Sequence, residues 1–127
     1  MPVKFKAVSR RNPRDLAAPE KFYATAIADG EVDLDTLARM ISDQNTVTEA
    51  DCYAVLISLE KNIIDELAQG RIVKLGRLGT FQVGISSVGM ATAEEVSSNS
   101  IIKSRINFRP GKRMRSFLKD VSFKKQS

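Results

Sequence analysis

The chain opens on an alternation. In VKFKAVSR, Val3 to Arg10, the residues Val3, Phe5 and Ala7 fall on one side and Lys4 and Lys6 on the other. KFYATAIA, Lys21 to Ala28, carries Phe22, Tyr23, Thr25 and Ile27. Both segments read as strands, joined by a polar loop that contains proline. Asp29-Gly30 breaks the second strand. The period then changes. From Asp33, a candidate cap, Leu34, Leu37, Ala38 and Ile41 recur at helical spacing, and the pattern ends near Asn45. Thr48-Glu-Ala-Asp51 approximates a capping box, with Asp in place of Glu. It opens a longer helix to Gln69, with Cys52, Val55, Leu56, Leu59, Ile63, Ile64 and Leu67 on a broad apolar face. Gly70 suits the left-handed residue that ends a helix. That face is too apolar for contact with one short neighbour, and it suits a second subunit as well as the chain's own core.

Beyond Gly70 the period is two again. RIVKL (Arg71 to Leu75), the turn GRLG and TFQVGI (Thr80 to Ile85) read as a hairpin. SSVGMATAEEVSSNS, residues 86–100, reads as a flexible loop or arm. IIKSRINF (Ile101 to Phe108) is a third strand, with Ile102, Ser104, Ile106 and Phe108 alternating against Lys103, Arg105 and Asn107. After Arg109-Pro110-Gly111, KRMRSFLKDV reads as a short basic helix. Met114, Phe117, Leu118 and Val121 form its apolar stripe, and the basic tail SFKKQS is expected to fray. There is no internal repeat.

Charge sharpens this outline. The net charge of +5 is modest, but it is segregated. Residues 1–30 carry six Lys/Arg against three acids, residues 31–70 two against nine, and residues 71–127 twelve against three. Basic ends around an acidic middle imply a face directed at a polyanion. At 127 residues the expectation is one compact domain over 31–127 with a β extension over 1–30. The single cysteine, Cys52, on an apolar helix stripe, reads as a buried structural thiol. The N-terminal segment lacks the apolar core of a signal peptide, and no apolar run is long enough to span a bilayer. A soluble, cytoplasmic protein with no membrane partner is expected.

Little catalytic chemistry is on offer. There is no histidine, the commonest general base and a frequent metal ligand. The carboxylates sit at helix caps or on solvated helix surfaces. Gly70, Gly76 and Gly79 lack the Gly-Lys-Ser/Thr ending of a phosphate-cradling loop. No catalytic residue, metal site, cofactor or small-molecule substrate is expected.

Two helices, a glycine and a strand lead to Gly76-x-x-Gly79-Thr80-Phe81-x-Val83. An arm and a strand then lead to Phe108-Arg109-Pro110-Gly111-Lys112 and a helix. Over about residues 33–120 this order resembles the HU/IHF family of bacterial histone-like DNA-binding proteins, in a longer subgroup with an N-terminal extension. The resemblance implies an α+β fold: an intertwined homodimer with a helical base, a β-hairpin saddle and two arms, plus the N-terminal pair of strands. It implies non-sequence-specific or weakly specific binding of double-stranded DNA in the bacterial nucleoid, through phosphates and the minor groove. The candidate contacts are Arg71, Lys74 and Arg77 by the hairpin, Lys103 and Arg105 on the third strand, and Arg109, Lys112, Arg113, Arg115 and Lys119 along the turn and last helix.

One departure matters. Typical members stud the arm with Arg/Lys and end it in Arg-Asn-Pro-x-Thr-Gly, whose proline wedges between base pairs. Residues 86–100 hold no cation and carry Glu94 and Glu95. Arg11-Asn12-Pro13 repeats the tip tripeptide far from its usual place, flanked by Arg10 and Arg14. Two readings stay open for this loop: a substitute tip with Pro13 near the groove, or a basic strand connection that proline stiffens. A second function also stays open, the same dimeric scaffold serving as a protein-interaction module with little or no DNA bending.

Overall fold

The computed structural model describes residues 2–126; Met1 and Ser127, at the outer ends of the two expected segments, lie outside the described residues. The chain forms two compact units. One joins the described residues up to Asp33 to those from Phe117 onward, and the other is Leu34–Ser116.

The first unit is a three-stranded sheet. β1 (Val3–Arg10) and β2 (Lys21–Ile27) pair antiparallel, with Lys4 opposite Ile27 and Arg10 opposite Lys21. The connection holds itself locally. The Arg14 N–H donates to Asn12 Oδ1 at 3.0 Å, the Ala17 N–H to Asp15 Oδ1 at 3.1 Å, and Arg11 Nε reaches Glu20 Oε1 at 2.8 Å. The other edge of β1 takes a strand that the sequence analysis leaves as a fraying tail. Phe123–Lys125 pairs parallel to β1, with Val3 beside Phe123 and Lys4 beside Lys124. Its ends are tied by Val3 N–H to Ser122 O at 2.8 Å and Gln126 N–H to Phe5 O at 2.9 Å. A three-residue alternation carries almost no local signal. The unpaired edge of β1 supplies the reason for this strand, since its backbone donors and acceptors need partners.

The second unit begins with α1 (Leu34–Gln44) and α2 (Glu49–Ala68). The Thr48 side chain accepts the Asp51 N–H at 3.2 Å, the cap expected from the sequence. Gly70 stands at φ +79°, where a side chain would be strained, and its N–H donates to Leu67 O at 3.0 Å. A short β3 (Val73–Lys74), β4 (Gly79–Ser87) and β5 (Ile101–Pro110) form an antiparallel sheet in the order β3-β4-β5. β4 and β5 extend beyond the expected strands, to Ser87 and Pro110. The arm is shorter and more ordered than expected. It contains two 3-10 turns, Ala93–Glu95 and Ser98–Ser100. Ser97 and Ser100 cap each other reciprocally, and Ser100 is buried. The last helix, α3 (Lys112–Phe117), is shorter than the expected 112–121. The Asp120 N–H donates to Phe117 O at 3.0 Å in the turn that follows, and the chain then leads to the tail strand.

Burial is slight. Among the described residues only Ala38, Cys52, Leu67, Gly79 and Ser100 are buried, and no large side chain is fully buried. Cys52 is thus an enclosed thiol, as its place on the stripe suggests. Val55 (64% exposed) and Ile64 (55%) leave much of the α2 stripe open. No helix of the described residues is long and apolar enough to cross a membrane.

Candidate nucleic-acid interface

Strand register decides which cations share a face. Directly paired residues point to the same side of a sheet, and the side alternates along each strand. Phe81 pairs with Phe108, and Val83 with Ile106. These define an apolar side, on which the two phenylalanine rings lie 4.8 Å apart between centroids. On the other side Thr80 pairs with Arg109, Gln82 with Asn107, Gly84 with Arg105 and Ser86 with Lys103. Lys74 pairs with Thr80, so it joins the same row as Arg109. One face therefore collects Lys74, Arg109, Arg105 and Lys103. Along β5 Lys103 and Arg105 stand about 6.8 Å apart, and Arg109 lies about twice that distance from Arg105, with Asn107 between them. No acid occupies a paired position on this face.

Gly84 shapes that face. A Cβ there would come within 2.6 Å of Asn107 Nδ2, 3.1 Å of Arg105 Nε and 3.2 Å of Arg105 Cζ. The guanidinium of Arg105 therefore lies over the bare backbone of β4. Its Nη1 donates to Ser86 Oγ at 3.0 Å, which fixes the group while leaving further N–H donors available. A bare backbone beneath a planar cation favours a presented guanidinium over a free one.

A second cluster forms where β5 turns into α3. The Gly111 N–H donates to Leu78 O at 3.1 Å, and a Cβ on Gly111 would fall on the carbonyl of Arg77. That close approach sets Arg77 beside Lys112 and Arg113, around a groove of about 610 Å³ that Gly76 and Ser116 complete. Arg115 is exposed on α3 and does not line this groove.

Other expected residues are placed differently. Arg71 Nη1 is held by Glu66 Oε2 at 2.6 Å, so its charge is locally matched. Lys119 lies beyond the end of α3, in the turn assigned to the first unit, because the helix stops at Phe117. Arg10, Arg11, Pro13 and Arg14 also belong to the first unit, where Arg11 is paired with Glu20. Gly84 and Ser86, which position Arg105, are not among the residues expected from the sequence. Their signal was the register opposite β5, which a single strand's alternation does not contain. Among the described residues no three His, Cys, Asp or Glu side chains gather as a metal site would require. The surface offers fixed cations on a sheet and at a turn, a chemistry suited to a polyanion.

A family model described as HU-HIG, "HU domain fused to wHTH, Ig, or Glycine-rich motif", matches residues 1–125. A crystal structure from Bacteroides vulgatus ATCC 8482, described as that of a "Putative bacterial DNA binding protein", is similar in fold. Its TM-score is 0.65 at 16% identity, over 97% of this chain and 48% of that one. This chain thus spans about half the length of that neighbour. No curated protein matches it.

Proposed function

The chain belongs to the HU-HIG family of HU domains, and on that premise we propose that it binds double-stranded DNA as a homodimer, without strong sequence preference. The observation that carries this reading is the single face that joins Lys74, Lys103, Arg105 and Arg109. Arg77, Lys112 and Arg113 extend the cationic surface at the adjoining turn, and Arg115 adds charge on α3. These cations match phosphate oxygens rather than base edges, so affinity comes chiefly from counterion release. The account describes a binding protein rather than an enzyme, acting in a histone-like role on the nucleoid in the cytoplasm. The neighbour's description as a DNA binding protein accords with it.

The dimer is part of the proposal, and the sparse burial supports it. In the second unit Leu37, Met40, Val55, Ile57 and Ile64 on the helices, and Val83, Ile85 and Ile106 on the sheet, remain exposed. An intertwined partner would cover such faces, as obligate homodimer interfaces do. The helical base, the saddle and the embracing arms of the HU arrangement belong to the same reading, with β1 and β2 as an extension to it.

The arm is the part that differs. Glu94 and Glu95 sit in its first 3-10 turn, and it carries no cation. The proposal therefore includes little bending of the duplex and gives Pro13 no wedge role. Binding of a duplex across rising salt tests it, with wild type beside a variant carrying Lys103→Glu, Arg105→Glu and Arg109→Glu. Wild type is expected to bind at low salt with a steep decline, and the variant to lose most of that affinity. Absence of wild-type binding at low salt removes the proposal.

A further inference from the structure

The first unit has a polar and an apolar face of its own, and nothing in the DNA-binding reading above uses them. In the β2-β1-β6 sheet (β6 being Phe123–Lys125), register places Lys4, Lys6 and Arg10 of β1 on one side. Lys21 and Tyr23 of β2 and Lys124 of β6 share that side. The opposite side carries Val3, Phe5, Ala7, Phe22 and Phe123, with Ser9 and, at the β6 edge, Lys125 as its polar members. The acids nearby are few and peripheral. Asp29 approaches Lys4 at 4.0 Å and is 85% exposed, while Glu20 is occupied by Arg11. In β1 Lys4 and Lys6 stand about 6.7 Å apart, and Arg10 lies about twice that distance beyond Lys6, with Val8 between them.

Tyr23 separates this face from an ordinary solvated one. Its ring is about half exposed, and Arg10 Cζ lies 6.0 Å from its centroid. Beside it opens a cavity of about 580 Å³ that Arg10, Arg11, Pro13, Pro19, Lys21 and Tyr23 line. A phosphate backbone alone needs cations and has no use for an aromatic wall. An unpaired base needs a ring to stack on, with cations spaced for its phosphates, and a duplex hides its base faces within its own stack.

We propose that the basic face of the N-terminal sheet binds single-stranded DNA, with one base stacked at Tyr23 and phosphates met by Lys4, Lys6, Arg10, Lys21 and Lys124. The choice of DNA over RNA rests on the duplex-binding reading of the second unit; the preference for an unpaired strand rests on Tyr23 and its cavity.

Fluorescence anisotropy with labelled oligo-dT, oligo-rU and a duplex tests the proposal on the full chain. Wild type is expected to bind oligo-dT. Tyr23→Ala should weaken that binding about fivefold to 150-fold and leave duplex affinity unchanged, while Tyr23→Phe restores it. Lys6→Gln with Lys21→Gln should lower the salt slope for oligo-dT by about 1.4. The Lys103→Glu, Arg105→Glu, Arg109→Glu variant should keep oligo-dT binding after losing the duplex. Failure of wild type to bind oligo-dT overturns the inference while leaving duplex binding intact. So does loss of oligo-dT and duplex together in that triple variant, or tighter binding of oligo-rU than of oligo-dT. Unchanged oligo-dT affinity in a folded Tyr23→Ala also overturns it. If circular dichroism shows that Tyr23→Ala unfolds, the lysine pair decides: an unchanged salt slope overturns the inference.

Discussion

Arg105 and Arg71 have the same side chain, and the structure gives them different work. Arg105 lies over Gly84 and is steadied by the neutral Ser86 hydroxyl, so its charge stays available. Arg71 is matched by Glu66. In the DNA-binding reading, Arg105→Gln should lower the salt slope for duplex binding by about 0.9 per protomer, since one phosphate contact is lost. Arg71→Gln should leave that slope nearly unchanged and cost at most about 1 kcal/mol of stability, as exposed ion pairs do. Titrations of the two variants across salt check both. Gly84→Ala belongs to the same comparison. Its methyl group would press on Asn107 and Arg105, so it should weaken duplex binding while far-UV circular dichroism stays that of wild type. The sequence shows which cations exist. It does not show which are neutralised, because Glu66 and Arg71 sit on either side of a helix end whose geometry brings them together.

Elements show where local signals suffice. Thr48 and Gly70 bracket α2 as their chemistry requires, and both ends are visible in the sequence. Thr48→Ala should destabilise the protein by about 1 kcal/mol through the lost cap, and Thr48→Ser should restore most of it; urea unfolding at fixed protein concentration measures both. The β3–β4 hairpin is likewise legible, because alternation flanks the Gly76–Gly79 turn that joins its strands. What escaped was non-local or marginal. β6 is three residues long and exists because β1 has an open edge. The arm gained order from the Ser97–Ser100 cap, a polar arrangement that composition alone reads as looseness. α3 stops after six residues, ahead of a turn that hydrophobic spacing alone would carry the helix through. For the same reason the basic side of the N-terminal sheet was half visible: Lys4 and Lys6 alternate within β1, whereas Lys21 and Lys124 join them only through pairing.

For the whole molecule, the defining quantity is the apolar surface left uncovered. Helices and sheet of the second unit expose residues that a lone chain of this size would bury. A second copy resolves this and, in the proposed arrangement, doubles the cations offered to one duplex. Val55→Asp with Ile64→Asp should therefore shift the protein toward monomer and weaken duplex binding together, because charge placed in an obligate interface is costly. Size-exclusion chromatography alongside duplex titration reads both changes. Sedimentation equilibrium of the full chain, alone and with a short duplex, tests the central claim most directly. The account requires a particle of twice the 14.0 kDa of one chain that takes up one duplex per two chains at low salt. A particle that stays at the mass of one chain, or a dimer that leaves the duplex free at low salt, contradicts it.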